Sequence, residues 1–315
     1  MTDISGLVGA ARDGDPRSVA RLISMVERDA AELADIATAF GGDAQRAHVI
    51  GLTGSPGVGK STTTNELVAA YRKLGKRIGV LAVDPSSPFS GGAILGDRVR
   101  MQDHATDPGV YIRSMSSRGH LGGLSAATAA AVRVLAGVGC EVVLVETVGV
   151  GQAEVEIASL ADTTLVLLAP GMGDAIQAVK AGILEIADIF VVNKADRDGA
   201  DATVRDIQGM IALGDRQPGE WRPRVVKAVA VRAEGIDGVM TAIAEHWAYL
   251  DKTGELRKRR EERAAAEIEA LVLGRMRARI GSIRGGHSLG ELASKVAAGV
   301  VDPYTAAEEL LSGLG

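Results

Sequence analysis

The sequence predicts an α/β fold in which a mostly parallel sheet is covered by helices on both faces. From residue 48 to about residue 250, short β-prone segments alternate with segments of helical periodicity. The β-prone segments are apolar at nearly every position, which is typical of parallel strands buried on both faces. A glycine-rich turn at residues 54–61 connects the first of these segments to a helical one.

The segment before the first strand is predicted to be helical. Asp15-Pro16 has the sequence of a helix start, and an apolar stripe with helical spacing continues from Val19 to Ile36. We therefore expect two helices, which end at Gly41-Gly42. Seven strands are then predicted, at residues 48–53, 78–83, 110–113, 142–145, 164–168, 188–192 and 225–229.

The pattern after residue 251 is helical. A long charged helix is expected at 255–280, and short helices at 289–298 and 303–311. The charge run at residues 257–263 mixes both signs and is most simply a solvated helix face. There are two alternatives: the helix is used for self-association, or, as the weaker possibility, it binds nucleic acid. The predicted domains are a helical segment at 1–45, an α/β domain at 46–250 and a C-terminal helical segment at 251–315.

Composition narrows the class of protein. The net charge is −5 and no basic, aromatic-interleaved stretch occurs, so a nucleic-acid partner is not expected. Cys140 is the single cysteine, so an internal disulfide is excluded and a reducing compartment fits. The first residues lack the basic and apolar regions of a signal peptide, and no run of about 18 apolar residues predicts a membrane span. We expect a cytoplasmic protein.

The glycine-rich turn is a complete phosphate-binding loop, which makes the predicted fold that of a P-loop NTPase. Its glycines let successive backbone N–H groups face phosphate oxygens at the start of a helix. Lys60 is expected to contact the β- and γ-phosphates, and the Ser61 hydroxyl is the expected Mg²⁺ ligand. The predicted phosphate-binding residues are Gly54, Ser55, Pro56, Gly57, Val58, Gly59, Lys60, Ser61 and Thr62.

Residues 193–196 read Asn-Lys-Ala-Asp and follow a predicted strand, which indicates guanine recognition. The Asp196 carboxylate accepts hydrogen bonds from the ring N–H and the exocyclic amine of guanine, whereas adenine has no matching donors. A buried polar site of this kind rejects the wrong base by roughly 10⁴-fold or more. Lys194 is expected to lie along the base, and Asn193 to connect this loop to the phosphate loop. The third base contact is expected from Ala230, Val231 and Arg232.

Acidic residues at other strand ends predict the metal and switch segments. Asp84 ends the strand after the phosphate-loop helix, and Asp97 ends the Gly-, Pro- and Ser-rich stretch that follows. Glu146 ends the fourth strand and is expected to hold Mg²⁺, while Gly149 can offer its N–H group to the γ-phosphate. Gly-rich residues 171–174, which lead to Lys180, are a third candidate for a moving segment. Ordinary surface loops and strand-end charges are the alternative interpretation.

Four motifs together resemble the MeaB/ArgK family of GTPases: V-D-P-S-S-P, G-G-x-I-L-G-D-R-x-R-M, E-T-V-G-V-G-Q and N-K-A-D. The resemblance covers essentially the whole chain. It implies a homodimeric chaperone of adenosylcobalamin-dependent methylmalonyl-CoA mutase, which controls cofactor delivery with GTP and protects the mutase from inactivation. It also implies phosphate and Mg²⁺ roles for Lys60 and Ser61, and an acidic magnesium and switch set.

The acidic set implied by the family is Asp84, Asp97 and Glu146, and Lys180 falls in the segment that responds to the mutase. Many family members have Ser after G-V-G-Q, whereas this chain has Ala153 and therefore lacks that hydroxyl. Some members carry the names of arginine/ornithine transport ATPases or kinases, but N-K-A-D disfavours ATP.

No residue is a clear choice for positioning the attacking water, because Gln152 lies six residues past Glu146. Arg98, Arg113 and Arg118 lie in candidate switch regions, yet none is assignable as an arginine finger. Hydrolysis without such groups proceeds at roughly 10⁻⁴ to 10⁻² per second, so slow turnover accelerated by a partner is expected. A nickel or zinc metallochaperone GTPase and a transporter ATPase subunit are the rival functions. The five histidines are scattered, which disfavours the first rival.

Overall fold

The computed structural model describes residues 3–27, 33–42, 46–85, 104, 106–117, 126–147, 153–171, 184–214, 217–282 and 289–312. The chain divides into two compact units, Met1–Arg260 and Glu261–Gly315. Among the described helices, none combines the length and the apolar character needed to cross a bilayer.

The first unit is built on a parallel sheet, and all seven predicted strands are present in its described residues. The strand order is β3-β2-β4-β1-β5-β6-β7, with each adjacent pair parallel. β1 therefore lies in the middle of the sheet, between β4 and β5. The strands are β1 (His48–Thr53), β2 (Ile78–Pro85), β3 (Val110–Ser117), β4 (Val142–Thr147), β5 (Thr163–Leu168), β6 (Ile189–Val192) and β7 (Arg224–Lys227).

Helices cover both faces of the sheet, as the apolar strands predict. The described helices are α1 (Ile4–Arg12), α2 (Pro16–Glu27), α3 (Leu33–Phe40), α4 (Lys60–Lys73), α5 (Ala126–Gly137), α6 (Ala153–Leu160), α7 (Leu184–Ile186), α8 (Ala200–Leu213), α9 (Ile236–Thr253), α10 (Glu255–Ser282), α11 (Leu289–Ala297) and α12 (Pro303–Ser312).

Two hydrophobic cores show which helices lie on which face. Val80 belongs to one core together with Leu67 of α4 and Ile243 of α9. Its neighbour Leu81 belongs to the other core, which contains residues of α1, α2, α3, α5 and α6. Successive strand side chains point to opposite faces, so this division is that of a doubly covered sheet.

The expectation of two helices before β1 is wrong, since the described residues there form three. α2 ends at Glu27 and α3 begins at Leu33. The apolar periodicity is shared by α2 and α3 because both helices bury their apolar sides in the same core.

The expectation that the charge run at 257–263 is a solvated face is also wrong in part. Arg259 and Arg260, near the start of α10, are half-buried and pair with Asp188 and Asp162. The run itself does not reveal these ion pairs, because both acidic partners lie far away in the sequence, in loops that lead into strands.

In the second unit, α11 and α12 enclose a small core of Leu292, Ala306 and Leu310. The part of α10 in this unit carries exposed apolar side chains: Ile268, Leu271, Val272, Leu273 and Met276.

Candidate nucleotide-binding site

The candidate site lies at the carboxyl ends of the central strands. The phosphate loop follows β1, Glu146 lies at the end of the neighbouring β4, and Asn193 directly follows β6. Because the strands are parallel, these ends meet at one edge of the sheet, where ligands of open α/β sheets bind. The sheet order therefore brings together three segments that are far apart in the sequence.

Glycine is required at two positions of the phosphate loop. Gly54 and Gly59 have φ angles of 136° and 98°, which L side chains rarely adopt. A Cβ atom at Gly54 would lie 2.2 Å from the carbonyl oxygen of Leu167 on β5, and one at Gly59 would lie 2.3 Å from Nδ2 of Asn193. The loop thus curls tightly against β5 and the Asn193 loop, and α4 begins directly after it at Lys60.

The Lys60 side chain lies within the loop. Its Nζ atom donates to the carbonyl oxygens of Gly54 at 2.6 Å and Ser55 at 3.1 Å, and the residue is buried. A buried ammonium group at the start of a helix attracts an anion, and the helix dipole and the N–H groups of the first turn stabilise the same negative charge. This arrangement fits the phosphates of a nucleotide.

Ser61 and Glu146 form a buried pair beside Lys60. The Ser61 hydroxyl donates to Glu146 Oε1 at 2.6 Å, and the Thr64 hydroxyl lies 2.9 Å from Glu146 Oε2. All three side chains are buried. A hydroxyl and a carboxylate are the hard oxygen ligands that Mg²⁺ prefers next to phosphates, so these residues fit that ion. The sequence interpretation missed Thr64, although its position one helical turn after Ser61 places both on one side of α4.

Asn193 connects three loops of the site. Its Nδ2 donates to the Val58 carbonyl in the phosphate loop at 2.8 Å, and its Oδ1 accepts from the backbone N–H of Ala230 at 3.0 Å. Its own N–H group donates to Leu168 at the end of β5. The expected contact between Asn193 and the phosphate loop is present, and the same side chain also positions the 230–232 turn.

Around the expected base position, the charged side chains form exposed pairs. Lys194, with φ of 55°, donates from Nζ to the carbonyl of Gly57 at 2.7 Å. Arg232 lies 3.4 Å from Asp196 and binds Glu234 through two contacts, of which Nε–Oε1 is 2.8 Å. The hydrogen bond to Glu234 raises the pKa of Arg232. The side chain of Asp196 is 38% exposed, whereas the sequence motif predicts a carboxylate that is buried against a base.

The comparison with protein families decides the identity of the site. The family described as methylmalonyl Co-A mutase-associated GTPase MeaB matches residues 19–283. The chain belongs to the MeaB family. It is therefore a P-loop GTPase that binds guanine nucleotides, as the phosphate loop and the Asn-Lys-Ala-Asp motif predict.

Relatives of this MeaB-family chain support the assignment along its full length. A Pyrococcus abyssi protein named as a GTPase is 45% identical over 98% of this chain and 96% of its own length. The Caenorhabditis elegans methylmalonic aciduria type A homolog, mitochondrial, is 38% identical over 68% of this chain and 54% of its own length. The crystal structure of a LAO/AO transport system kinase has the same fold, with a TM-score of 0.71, 24% identity and coverage of 99% and 98% of the two chains.

Several predicted site residues of the MeaB-family chain lie outside the described residues. Among them are Asp97, Gly149 and Lys180, as well as Arg98, Arg118 and Gln152. Only the backbone of Asp84 is described, at the end of β2 beside β4. These assignments remain predictions.

The described residues of the predicted set differ in exposure. Ser55 and Thr62 are half-buried, and Pro56 is exposed. Val58 and Ala230 are buried, whereas Val231 is exposed. Arg113 binds Ser24 and Glu27 of α2, so its charge is held there by the N-terminal helices.

Proposed function

We propose that this chain is a Mg²⁺-dependent GTPase that acts as a chaperone of an adenosylcobalamin-dependent acyl-CoA mutase, with methylmalonyl-CoA mutase as the client. In this proposal the GTPase gates delivery of the cobalamin cofactor and protects the mutase from inactivation. The observation that carries it is the match to the MeaB family across residues 19–283, together with an intact phosphate loop. The relative named for methylmalonic aciduria supports the same client class.

The chemistry that this site supports is hydrolysis of GTP to GDP and phosphate by in-line attack of water. The backbone N–H groups of the phosphate loop and the Lys60 ammonium stabilise charge that develops on the phosphoryl oxygens. Ser61 and Glu146 would hold Mg²⁺, which when bound neutralises charge on the β- and γ-phosphates. We propose that Asp84, Asp97, Gly149 and Lys180 complete the metal and switch segments.

Turnover by the isolated protein is expected to be slow, within roughly 10⁻⁴ to 10⁻² per second. Arg113, one of three arginines in the candidate switch regions, is already paired with α2. We propose that the client supplies the missing acceleration. Fast hydrolysis by the isolated chain would contradict this part of the proposal.

A homodimer joined through the C-terminal segment, residues 251–315, is part of the proposal. The exposed apolar side chains on α10 support it: Ile268 is 63% exposed and Val272 is 50% exposed. Contiguous apolar surface of this kind is typical of association sites. Light scattering of the unaltered chain and of Ile268→Lys/Val272→Lys tests it, and a monomeric unaltered chain would refute it.

The experiment that tests the client is a pull-down of purified methylmalonyl-CoA mutase in the presence of a non-hydrolysable GTP analogue, GDP or no nucleotide. We expect nucleotide-dependent capture, with loss of nucleotide dependence in Lys60→Ala. A related acyl-CoA mutase and a nickel-dependent enzyme serve as alternative clients in parallel. Failure to capture either mutase, with GTP binding intact, would refute the chaperone function and leave the GTPase assignment standing.

A further inference from the structure

Thr64 contacts the carboxylate of Glu146, which also accepts a hydrogen bond from Ser61, the hydroxyl ligand expected for Mg²⁺. Its Oγ1 atom lies 2.9 Å from Glu146 Oε2, while Ser61 Oγ lies 2.6 Å from Glu146 Oε1. The Thr64 side chain is fully buried, and Glu146 is 5% exposed. The two hydroxyls thus hold the two oxygens of one buried carboxylate.

The Thr64 hydroxyl has one hydrogen and two acceptors within reach. The second acceptor is the carbonyl oxygen of Lys60, one turn earlier in α4, at 3.0 Å. Hydrogen bonds to ionised acceptors are roughly twice as strong as those between neutral groups, so the carboxylate is the favoured partner. A hydroxyl at this position of a helix otherwise donates back to the helix carbonyl. Here the carboxylate draws it toward β4.

A carboxylate held at both oxygens cannot rotate about its terminal bond. Glu146 Oε1 then accepts the hydrogen of Ser61 in one fixed direction, which leaves the lone pairs of Ser61 Oγ free for a cation. A partner that orients a metal ligand commonly changes metal affinity by about 10- to 100-fold. The fully buried site also keeps water from taking the place of Thr64.

We infer that Thr64 is a positioning residue of the Mg²⁺ site, acting through Glu146 on Ser61. The inference rests on the proposed role of Mg²⁺ in this GTPase. Thr64 needs no contact with the ion or the nucleotide for this role. Its hydroxyl sets the orientation of Glu146, and Glu146 sets that of Ser61.

The test compares Thr64→Val, which keeps the shape and removes the hydroxyl, with Thr64→Ser, which keeps the hydroxyl. Retention of a fluorescent GDP analogue is measured as a function of Mg²⁺ concentration. Thr64→Val should raise the half-saturating Mg²⁺ concentration about 10-fold or more, and Thr64→Ser should stay within about threefold of the unaltered chain. Affinity for the analogue in EDTA should be unchanged within about twofold, because the phosphate loop is intact.

Thr63→Val is the matched control. Thr63 is equally buried on the same turn of α4, and its hydroxyl bonds to the Gly59 carbonyl rather than to Glu146. This variant should leave the Mg²⁺ dependence unchanged. A double variant with Glu146→Ala adds a second measurement, since Thr64→Val should have no further effect on Mg²⁺ dependence once the carboxylate that Thr64 orients is removed.

The outcomes separate this inference from the function on which it rests. If nucleotide retention by the unaltered chain does not depend on Mg²⁺ concentration, the metal site is refuted, and the inference with it. Mg²⁺-dependent retention that is unchanged in folded Thr64→Val would refute the inference alone. Equal losses in Thr64→Val and Thr64→Ser, or in Thr63→Val, would show an effect of helix packing instead. If Thr64→Val does not fold, the Thr64→Ser comparison and Thr64→Ala decide in the same way.

Discussion

Arg259 binds Asp188 through two contacts, Nη2–Oδ1 at 3.0 Å and Nη1–Oδ2 at 3.2 Å, at the amino-terminal end of β6. Asp188 also accepts from the backbone N–H of Thr164 at 2.8 Å and lies 3.2 Å from Nε2 of His246. Burial opposes ionisation of this carboxyl, but His246 and Arg259 outweigh burial, so the pKa of Asp188 lies below its usual range. The opposite end of β6 leads into Asn193, so the start of α10 is bonded to a strand of the nucleotide site.

Replacing Arg259 with Met should destabilise the protein. The variant leaves a buried carboxylate without its guanidinium partner, which costs about 1–3 kcal/mol after allowance for the partial exposure of Arg259. Urea unfolding measures the loss. Lys258→Met is the matched control, since Lys258 is 63% exposed and should change stability by less than about 0.5 kcal/mol. Equal effects of the two substitutions would contradict a structural role for the ion pair.

Stability should fall below neutral pH because of His48. Burial lowers the pKa of His48 to about 4, from an ordinary value of 6.5. Asp162 and Asp188 oppose this shift, whereas His246 and Arg260 add to it. The unfolded chain then binds a proton between pH 6.5 and about 4 that the folded chain excludes, so stability present above pH 6.5 is lost as the pH falls through this window.

The expected loss from His48 is about 1–2 kcal/mol between pH 7 and pH 5. His48→Gln is the comparison, because glutamine keeps a donor near Thr163 Oγ1, which lies 2.8 Å from His48 Nε2, but does not titrate. The difference in unfolding free energy between the two proteins should change with pH in this window. A constant difference would show that His48 does not stay neutral in the folded protein over this pH range.

Asp196→Asn should change the base preference from guanine to xanthine. The carboxylate accepts two hydrogen bonds from guanine, and an amide can accept one and donate one, which suits the 2-oxo group of xanthine. We expect GTP affinity to fall at least about 100-fold and XTP affinity to rise. Asp198→Asn, an exposed carboxylate two residues later, is the control and should retain GTP. If the unaltered chain bound ATP as tightly as GTP, the guanine assignment would fail.

Gly54→Ala should disrupt the phosphate loop more than Gly57→Ala. Both glycines have positive φ, which costs about 1 kcal/mol for alanine. Only at Gly54 does the new Cβ atom meet backbone, the Leu167 carbonyl oxygen at 2.2 Å, while nothing lies within 4 Å at Gly57. Thermal unfolding and GTP binding should therefore both be worse in Gly54→Ala. Indistinguishable variants would show that the loop does not pack against β5 in this way.

Much of the fold and the core of the site follow from the sequence alone. The five central strands were predictable because burial on both faces requires apolar residues at consecutive positions. The edge strands β3 and β7 are only partly buried, and short apolar runs predicted them. The phosphate loop and residues 193–196 were predictable because tight turns and base recognition demand specific residue types at fixed spacing. These are local requirements, which a linear pattern records.

The tertiary structure decided the contacts that the sequence did not predict. Strand order places β1 between β4 and β5, and this order puts Thr64 beside Glu146 and Asn193 against Ala230. No spacing in the sequence records that order. The tertiary structure likewise made Arg259 a half-buried partner of Asp188, because the same charged residue type serves a solvated surface or an ion pair according to what the fold packs against it.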